Sequence, residues 1–378
     1  MRARFALSPR PRRSRGVSLV EIMVGVAIGL IGTVAIFQAV GAWSRHTQTA
    51  SAGGDAQIAG TLALFNIERD VKAAGHGFGT AALEVMGCPV TSVVAGPPFN
   101  LRPIDIQQGA GGGPDTISIL YGNSPFFVAA GTFTSSTAAS KTLTRRSGFR
   151  RGDIAVVAGP GVATVAASAP CELVEITGDA NVDGLTLDHA VGNYLNFYTN
   201  ANVASRFNGV AVPPAFAAGT IFSLGPQPTL NVWSIVGPRL SRIERFAATP
   251  QIPVADGVVN IKAEYGVDLN NDGQIANAEW QTAAPADFRT VLAIRVAVLV
   301  RSRHFERSAD SSSTLPVPVT PAVPTYFAYT GAKPFLMTNV DGTPDTNLPG
   351  DPNNWRYYRY RVYERVIPLR NLLWGTYG

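Results

Sequence analysis

The sequence predicts an α+β fold: one long N-terminal helix packed on an enlarged antiparallel, β-rich globular domain. Three observations carry this. A nearly uncharged apolar run follows an arginine-rich start, a helix-period segment extends it to Gly75, and short alternating segments separated by Gly, Pro, Asn and Asp turns fill the rest. With 46% apolar and 15% charged residues, 378 residues can bury one large core or two modest ones.

The first element begins with Arg2, Arg4, Arg10, Arg12, Arg13 and Arg15, with no acid among residues 1–16. That cluster exceeds the whole-chain net charge of +5 and leaves 25 basic against 26 acidic residues in the remainder. The high pI therefore reflects the leader, and no nucleic-acid partner is expected. Between Arg15 and Arg45 the sole charge is Glu21. A helix from Ile22 to Val40 rises about 28 Å, close to the ~30 Å hydrocarbon thickness, so a membrane span is predicted. Arginines before the span place the N-terminus in the cytoplasm and the remainder across the membrane.

In an ordinary secretory signal, cleavage follows the apolar run. Here a glycine precedes it, and a lone carboxylate comes five residues later. Gly16-Val17-Ser18-Leu19-Val20-Glu21 resembles the type IV prepilin motif. The resemblance implies cleavage after Gly16 by a prepilin peptidase, methylation of the new N-terminal residue and alignment of neighbouring subunits through Glu21. The usual first residue is Phe, and Val17 departs from it. Burying a carboxylate at the centre of a membrane helix costs about 2.5–3.5 kcal/mol, less near one end, which favours a functional reason for Glu21.

Beyond Trp43 the chain turns polar, and Gly53-Gly54 predict a weakening or bend before Asp55 caps a restart. Ile58, Leu62, Phe65 and Arg69 stand at helical spacing, and Leu64, Ile67 and Val71 widen the apolar face up to the stop at Gly75. The expected organisation is a leader at 1–16, a transmembrane helix at 17–43, its amphipathic continuation at 44–75 and a β-rich domain at 76–378. Strands are expected at 116–121, 154–158, 172–177, 194–198, 220–224, 229–236, 239–246, 258–265, 290–301 and 356–366, the last with one wet side. Segments 109–114 and 308–325 read as exposed loops. The Leu64–Gly75 helix end with its Arg69-Asp70 pair, the Tyr265-Gly266-Val267-Asp268 strand end and the 356–371 terminal stretch are similar to PilW-type minor pilins.

Little in the sequence suggests catalysis. His46, His76, His189 and His304 are scattered without partners at metal or triad spacing, and Gly109–Gly113 lacks the lysine of a phosphate loop, so no enzyme is expected. Cys88 and Cys171, both beyond the membrane, are expected to form a disulfide; two buried thiols are the alternative. Asp268, Asn270, Asp272, Gln274 and Glu279 fit the D-x-[DN]-x-[DN]-G-x5-E calcium loop, with Gly273 at its turn, although strands rather than helices flank it. Calcium is the one cofactor expected, against the alternative of a plain turn. A weaker half-copy lies at Asp179–Gly184, with Asp188 as substitute ligand.

The resemblance implies a minor pilin in pilus assembly or initiation, held in the bacterial inner membrane before joining the pilus. Implied partners are the prepilin peptidase, other minor pilins and the major pilin, the inner-membrane assembly platform and a large tip protein. The size of the domain suggests a place at or near the tip. Rival expectations are a type II secretion pseudopilin and a tip-located, adhesin-like surface-binding module.

Overall fold

The computed structural model describes residues 16, 18–79, 86–91, 99–125, 130–160, 171–178, 185–209, 216–247, 249–306, 317–345, 349 and 351–377. Two compact units divide between Ala52 and Gly53. Helix α1 runs from Leu19 to Ala73. The helix continues through Gly53-Gly54, where a weakening or bend was expected, and the boundary between the two units falls at those glycines.

In the first unit the helix is apolar and unpacked. Leu19–Gly41 has a mean hydropathy of 2.4 and is the one span among the described residues that is long and apolar enough to cross a membrane.

The second unit packs the outer end of α1 on antiparallel sheets. A four-stranded sheet has the order Trp280–Gln281, Val258–Val267, Val291–Arg301, Tyr360–Pro368. A five-stranded sheet has the order Ile252–Asp256, Arg239–Glu244, Thr229–Ile235, Thr116–Tyr121, Ile104–Gln107. An eight-stranded sheet carries Cys171–Glu175, Ile154–Ala158 and Gly219–Gly225 at its centre. Its only parallel pair among the described residues joins Pro89–Thr91 to Cys171–Glu175.

Val291–Arg301 reads as an apolar run because both its faces are covered. Ile294, Val296, Val298 and Val300 enter the main core with the helix, while Ala297 and Leu299 pack with Phe327 and Phe335 on the other side. Tyr360–Pro368 keeps the expected alternation: Tyr360 and Val362 face the Phe327 cluster, while Arg361 and Arg365 are exposed on the other face. That face is not wholly wet, since Tyr363 on it meets the helix and Arg365 pairs with Glu68 at the helix edge.

The helix buries only part of the expected face: Leu64, Ile67 and Val71 are inside, but the Ile58, Leu62, Phe65 row is not. Ile58 and Phe65 are 69% and 59% exposed, while Ala56, Ala63, Leu64, Ile67, Val71 and Ala74 are buried. Close approach selects this face: a Cβ on Gly60 would collide with the Tyr363 ring. At the helix end Gly75 takes φ +78°, a left-handed value that glycine adopts without steric cost. Asn371 then donates its amide to the carbonyls of Ala73 and Ala74 at 3.1 and 2.9 Å. A residue near the C-terminus thereby caps the N-terminal helix.

Between these contacts lies Asp70, only 1% exposed. Its Oδ2 accepts from Asn231 Nδ2 at 2.8 Å and from the Trp233 indole N–H at 3.0 Å, and its Oδ1 accepts from the Tyr121 hydroxyl at 3.4 Å. Burial pushes the Asp70 carboxyl above the usual carboxylate range, against the lowering effect of the Asn231 and Trp233 hydrogen bonds.

Two outcomes follow for Asp70. Asp70→Ala strands the buried Trp233 donor, at a cost of about 1–3 kcal/mol, and leaves the Asn231 amide only its long contact to the Tyr121 hydroxyl, so urea unfolding should show a loss of about 2–4 kcal/mol. Asp70→Asn keeps an acceptor and should lose less. An acid with a raised folded-state pKa binds its proton better when folded, so this contribution is present below the ordinary value of 3.8 and is lost as pH rises through the folded pKa. Subtracting the Asp70→Asn pH profile from that of the wild type should isolate this loss, since other buried acids remain in both.

Candidate functional site

The first sequence-predicted site lies at the start of α1. Gly16 is exposed, Val17 falls outside the described residues, and Glu21 sits in the first helical turn. The Glu21 N–H donates to Ser18 Oγ at 3.2 Å, making Ser18 the N-cap. Glu21 is exposed, as are the apolar side chains around it. The helix N-terminus, with its partial positive charge, is a favourable place for that carboxylate.

The second is the loop closing the hairpin between Val258–Val267 and Trp280–Gln281, where Gly266 pairs with Trp280. Flanking strands were expected and are present. Asn271 and Gly273 take φ of +58° and +76°, which turns the chain back. Asp268 Oδ2 accepts from the Gly273 N–H at 2.8 Å, and Asp272 Oδ1 from the Gln274 N–H at 2.8 Å. Asn270 Oδ1 accepts from the Asp272 N–H at 3.1 Å. Glu279 spans the loop, accepting from Leu269 N–H at 3.1 Å and from Ala276 N–H at 2.7 Å. The spacing thus brings the expected oxygens to one turn, but backbone donors engage them. Among the described residues, no group of three or more His, Cys, Asp or Glu is placed to hold a metal ion. The weaker half-copy at Asp179–Gly184 lies outside the described residues.

The third is covalent. Cys88 and Cys171 form a disulfide with a Cα–Cα distance of 5.8 Å, spanning 83 positions at the parallel pairing in the eight-stranded sheet. Closing so long a loop stabilises the fold by roughly 4–5 kcal/mol in the chain-entropy model.

Sequence reasoning missed two buried ion pairs. Glu264 accepts from Arg295 Nε at 2.9 Å and pairs with Lys333, while the Arg295 guanidinium lies 4.7 Å from the Trp280 ring centre and 4.0 Å from that of Phe327. Asp115 pairs with Lys262 at 2.9 Å and accepts the Gly109 N–H at 3.0 Å, which ties down the exposed glycine loop. Alternation places Lys262 and Glu264 opposite the core residues Ile261, Ala263 and Tyr265, so in sequence they read as a solvent face, and their burial comes only from segments packed over that side. Of the histidines, His189 is buried against Lys141 at 2.9 Å; burial, then the lysine charge, push its imidazole down to about 4.

A capped apolar helix, a small-residue contact to a terminal strand and a large antiparallel domain define a pilin-like α+β protein. Two family comparisons agree. Residues 234–371 match the family described as type IV pilus-assembly protein W, and residues 11–37 match the prokaryotic N-terminal methylation motif. Both matches are those of a PilW-type minor pilin, and with the apolar helix they fit an inner-membrane-anchored protein of the type IV pilus system. No curated protein and no solved structure gives a match. The PilW-matched segment includes the whole four-stranded sheet and ends at Asn371, the residue that caps the helix.

For the disulfide, alkylation of unreduced protein followed by peptide mapping should recover a Cys88–Cys171 cross-linked peptide and no labelled thiol at either position. The Cys88→Ser, Cys171→Ser double variant should unfold at lower urea than the wild type by a margin of a few kcal/mol.

Proposed function

We propose that this chain is a non-enzymatic minor pilin that acts in type IV pilus assembly or initiation, at or near the pilus tip, through contacts with other minor pilins. The observation that carries this is the joining of a methylation-motif helix to a PilW-matched sheet. Its size supports the tip location: so large a domain is tolerable where few copies sit and awkward along a densely packed filament. In this reading a prepilin peptidase cuts after Gly16, the new N-terminal Val17 is methylated, and Glu21 pairs with the terminal amine of a neighbour. The β-rich domain lies on the periplasmic side before assembly. Pilin-family domains are structural, and the proposal assigns no catalytic residue.

Processing should give an intact mass beginning at Val17 with one added methyl group. Glu21→Ala should still insert, because the span becomes more apolar, but should appear in sheared pili at a small fraction of the wild-type level. Equal incorporation would remove the pairing role. Co-purification with secretion-channel components in place of pilus components would favour a pseudopilin.

We also propose that the 268–279 loop binds calcium weakly. The support is the spacing of Asp268, Asn270, Asp272, Gln274 and Glu279. Because the ion would displace hydrogen bonds that now close the loop, its affinity should lie in the millimolar range of extracellular modules. The expected result is a melting temperature that rises with millimolar calcium and falls back with chelator, the rise being lost in Asp268→Ala. Glu279→Ala should melt lower even in chelator, since Leu269 and Ala276 lose their shared acceptor. A wild-type melting temperature unaffected by calcium would leave the loop a turn.

A further inference from the structure

A hairpin of Asn193–Leu195 and Asn202–Ala204 forms a two-stranded sheet of its own beside the eight-stranded one. It is fixed from beneath. The Phe197 N–H donates to the Arg151 carbonyl at 3.0 Å, Tyr198 donates its hydroxyl to Asp153 at 2.5 Å, and Tyr194 donates to Glu175. Its outward side is apolar: Leu195 and Phe197 are each 45% exposed, and Val191, just before the hairpin, is 64% exposed. A segment so firmly held by polar contacts below has no need of these side chains for its own folding.

Arginines surround them. Residues 116–152 hold Lys141, Arg145, Arg146, Arg150 and Arg151 and no acid. Arg145 and Arg146 are exposed, and the Arg150 guanidinium lies 5.3 Å over the Phe197 ring, which ties the basic loop to the apolar one. Arg206, also exposed, follows the hairpin, its backbone N–H donating to Glu175 at 2.5 Å. Asp153 and Glu175 are buried beneath the hairpin, so neither carboxylate faces solvent to offset these arginines.

The combination narrows the partner. A single-stranded nucleic acid needs open aromatic faces for its bases, but Phe197 has Arg150 over it and meets Tyr198 edge-on, and the aliphatic Val191 and Leu195 add nothing to a phosphate contact. An anionic bilayer uses both features, since apolar side chains enter the headgroup region while arginines pair with lipid phosphates. We infer that this hairpin and the 145–151 loop form a docking surface for an anionic lipid bilayer, with Val191, Leu195 and Phe197 entering the headgroup region and Arg145, Arg146 and Arg206 on the phosphates. The apolar helix Leu19–Gly41 fits a membrane-anchored chain, and anchoring raises the effective concentration of such a surface, so a small contact suffices. The inference rests on that anchoring alone and stands whether or not the chain joins a pilus.

The test uses the full chain carrying Leu195→Cys, labelled with the environment-sensitive dye NBD without reduction so that the Cys88–Cys171 disulfide stays closed. The protein is reconstituted in vesicles of phosphatidylcholine alone or mixed with phosphatidylglycerol. The label reports on the hairpin and not on the arginine-rich leader. Its emission should shift to the blue in the anionic vesicles only, and high salt should reverse the shift. Adding Arg145→Gln and Arg146→Gln should lower the ratio of docked to undocked label about tenfold or more without shifting the melt, both side chains being exposed. Emission alike in the two vesicle types would overturn the inference, as would a blue shift that survives the two arginine substitutions. Binding of a single-stranded oligonucleotide, lost on those substitutions and without any response to lipid, would overturn it in favour of nucleic acid.

Discussion

Asp70 stands where the last turns of the helix meet the five-stranded sheet, and its carboxylate is the acceptor for the Trp233 indole N–H and for the Asn231 amide, which also reaches the Tyr121 hydroxyl at 3.4 Å. Asn231 and Trp233 come from one strand and Tyr121 from its neighbour, so a single side chain fixes the helix against both. An apolar residue at 70 could pack there but could not choose among rotations about the helix axis. The hydrogen bonds choose one, and that choice turns Gly60 toward Tyr363 and leaves Ile58 and Phe65 outside.

Everything that follows in the fold is compatible with that orientation. Glu68, two residues earlier, meets Lys72 and Arg365, and the Lys72 hydrogen bond foremost, with Arg365, holds its carboxyl below the usual range. The C-terminal segment reaches the helix end through Asn371.

The long elements were legible because their patterns are local. Thr116–Tyr121 and Ile154–Ala158 occupy the expected residues, and Val258–Val267 and Val291–Arg301 differ from expectation only at their ends. Short strands such as Ile104–Gln107 and Ser140–Leu143 escaped, since four residues carry too little alternation to stand above turn residues. Leu64, Ile67 and Val71 were read as apolar-face residues and are buried, whereas the alanines and Gly60 of that face were missed because they score weakly as apolar, while small size is what the Tyr363 contact requires. The alternation of arginines in the terminal strand marked its exposed side correctly, but the contact of Tyr363 and Arg365 with a helix nearly 300 residues away in the chain left no local pattern. At the candidate sites, the prepilin-like signal and the cysteines were readable as chemistry in sequence. Asp70 stood out only as part of an Arg-Asp pair.

The central claim is that the Asp70–Trp233 hydrogen bond locks the helix to the sheet. A double-mutant cycle between Asp70→Ala and Trp233→Phe, read by urea unfolding, measures it most directly, because phenylalanine keeps most of the buried ring and removes the indole donor. The account predicts a coupling of about 1–3 kcal/mol, the double variant being little worse than Asp70→Ala alone. Strictly additive losses would mean that the two side chains contribute separately and that this hydrogen bond does not lock the helix to the sheet.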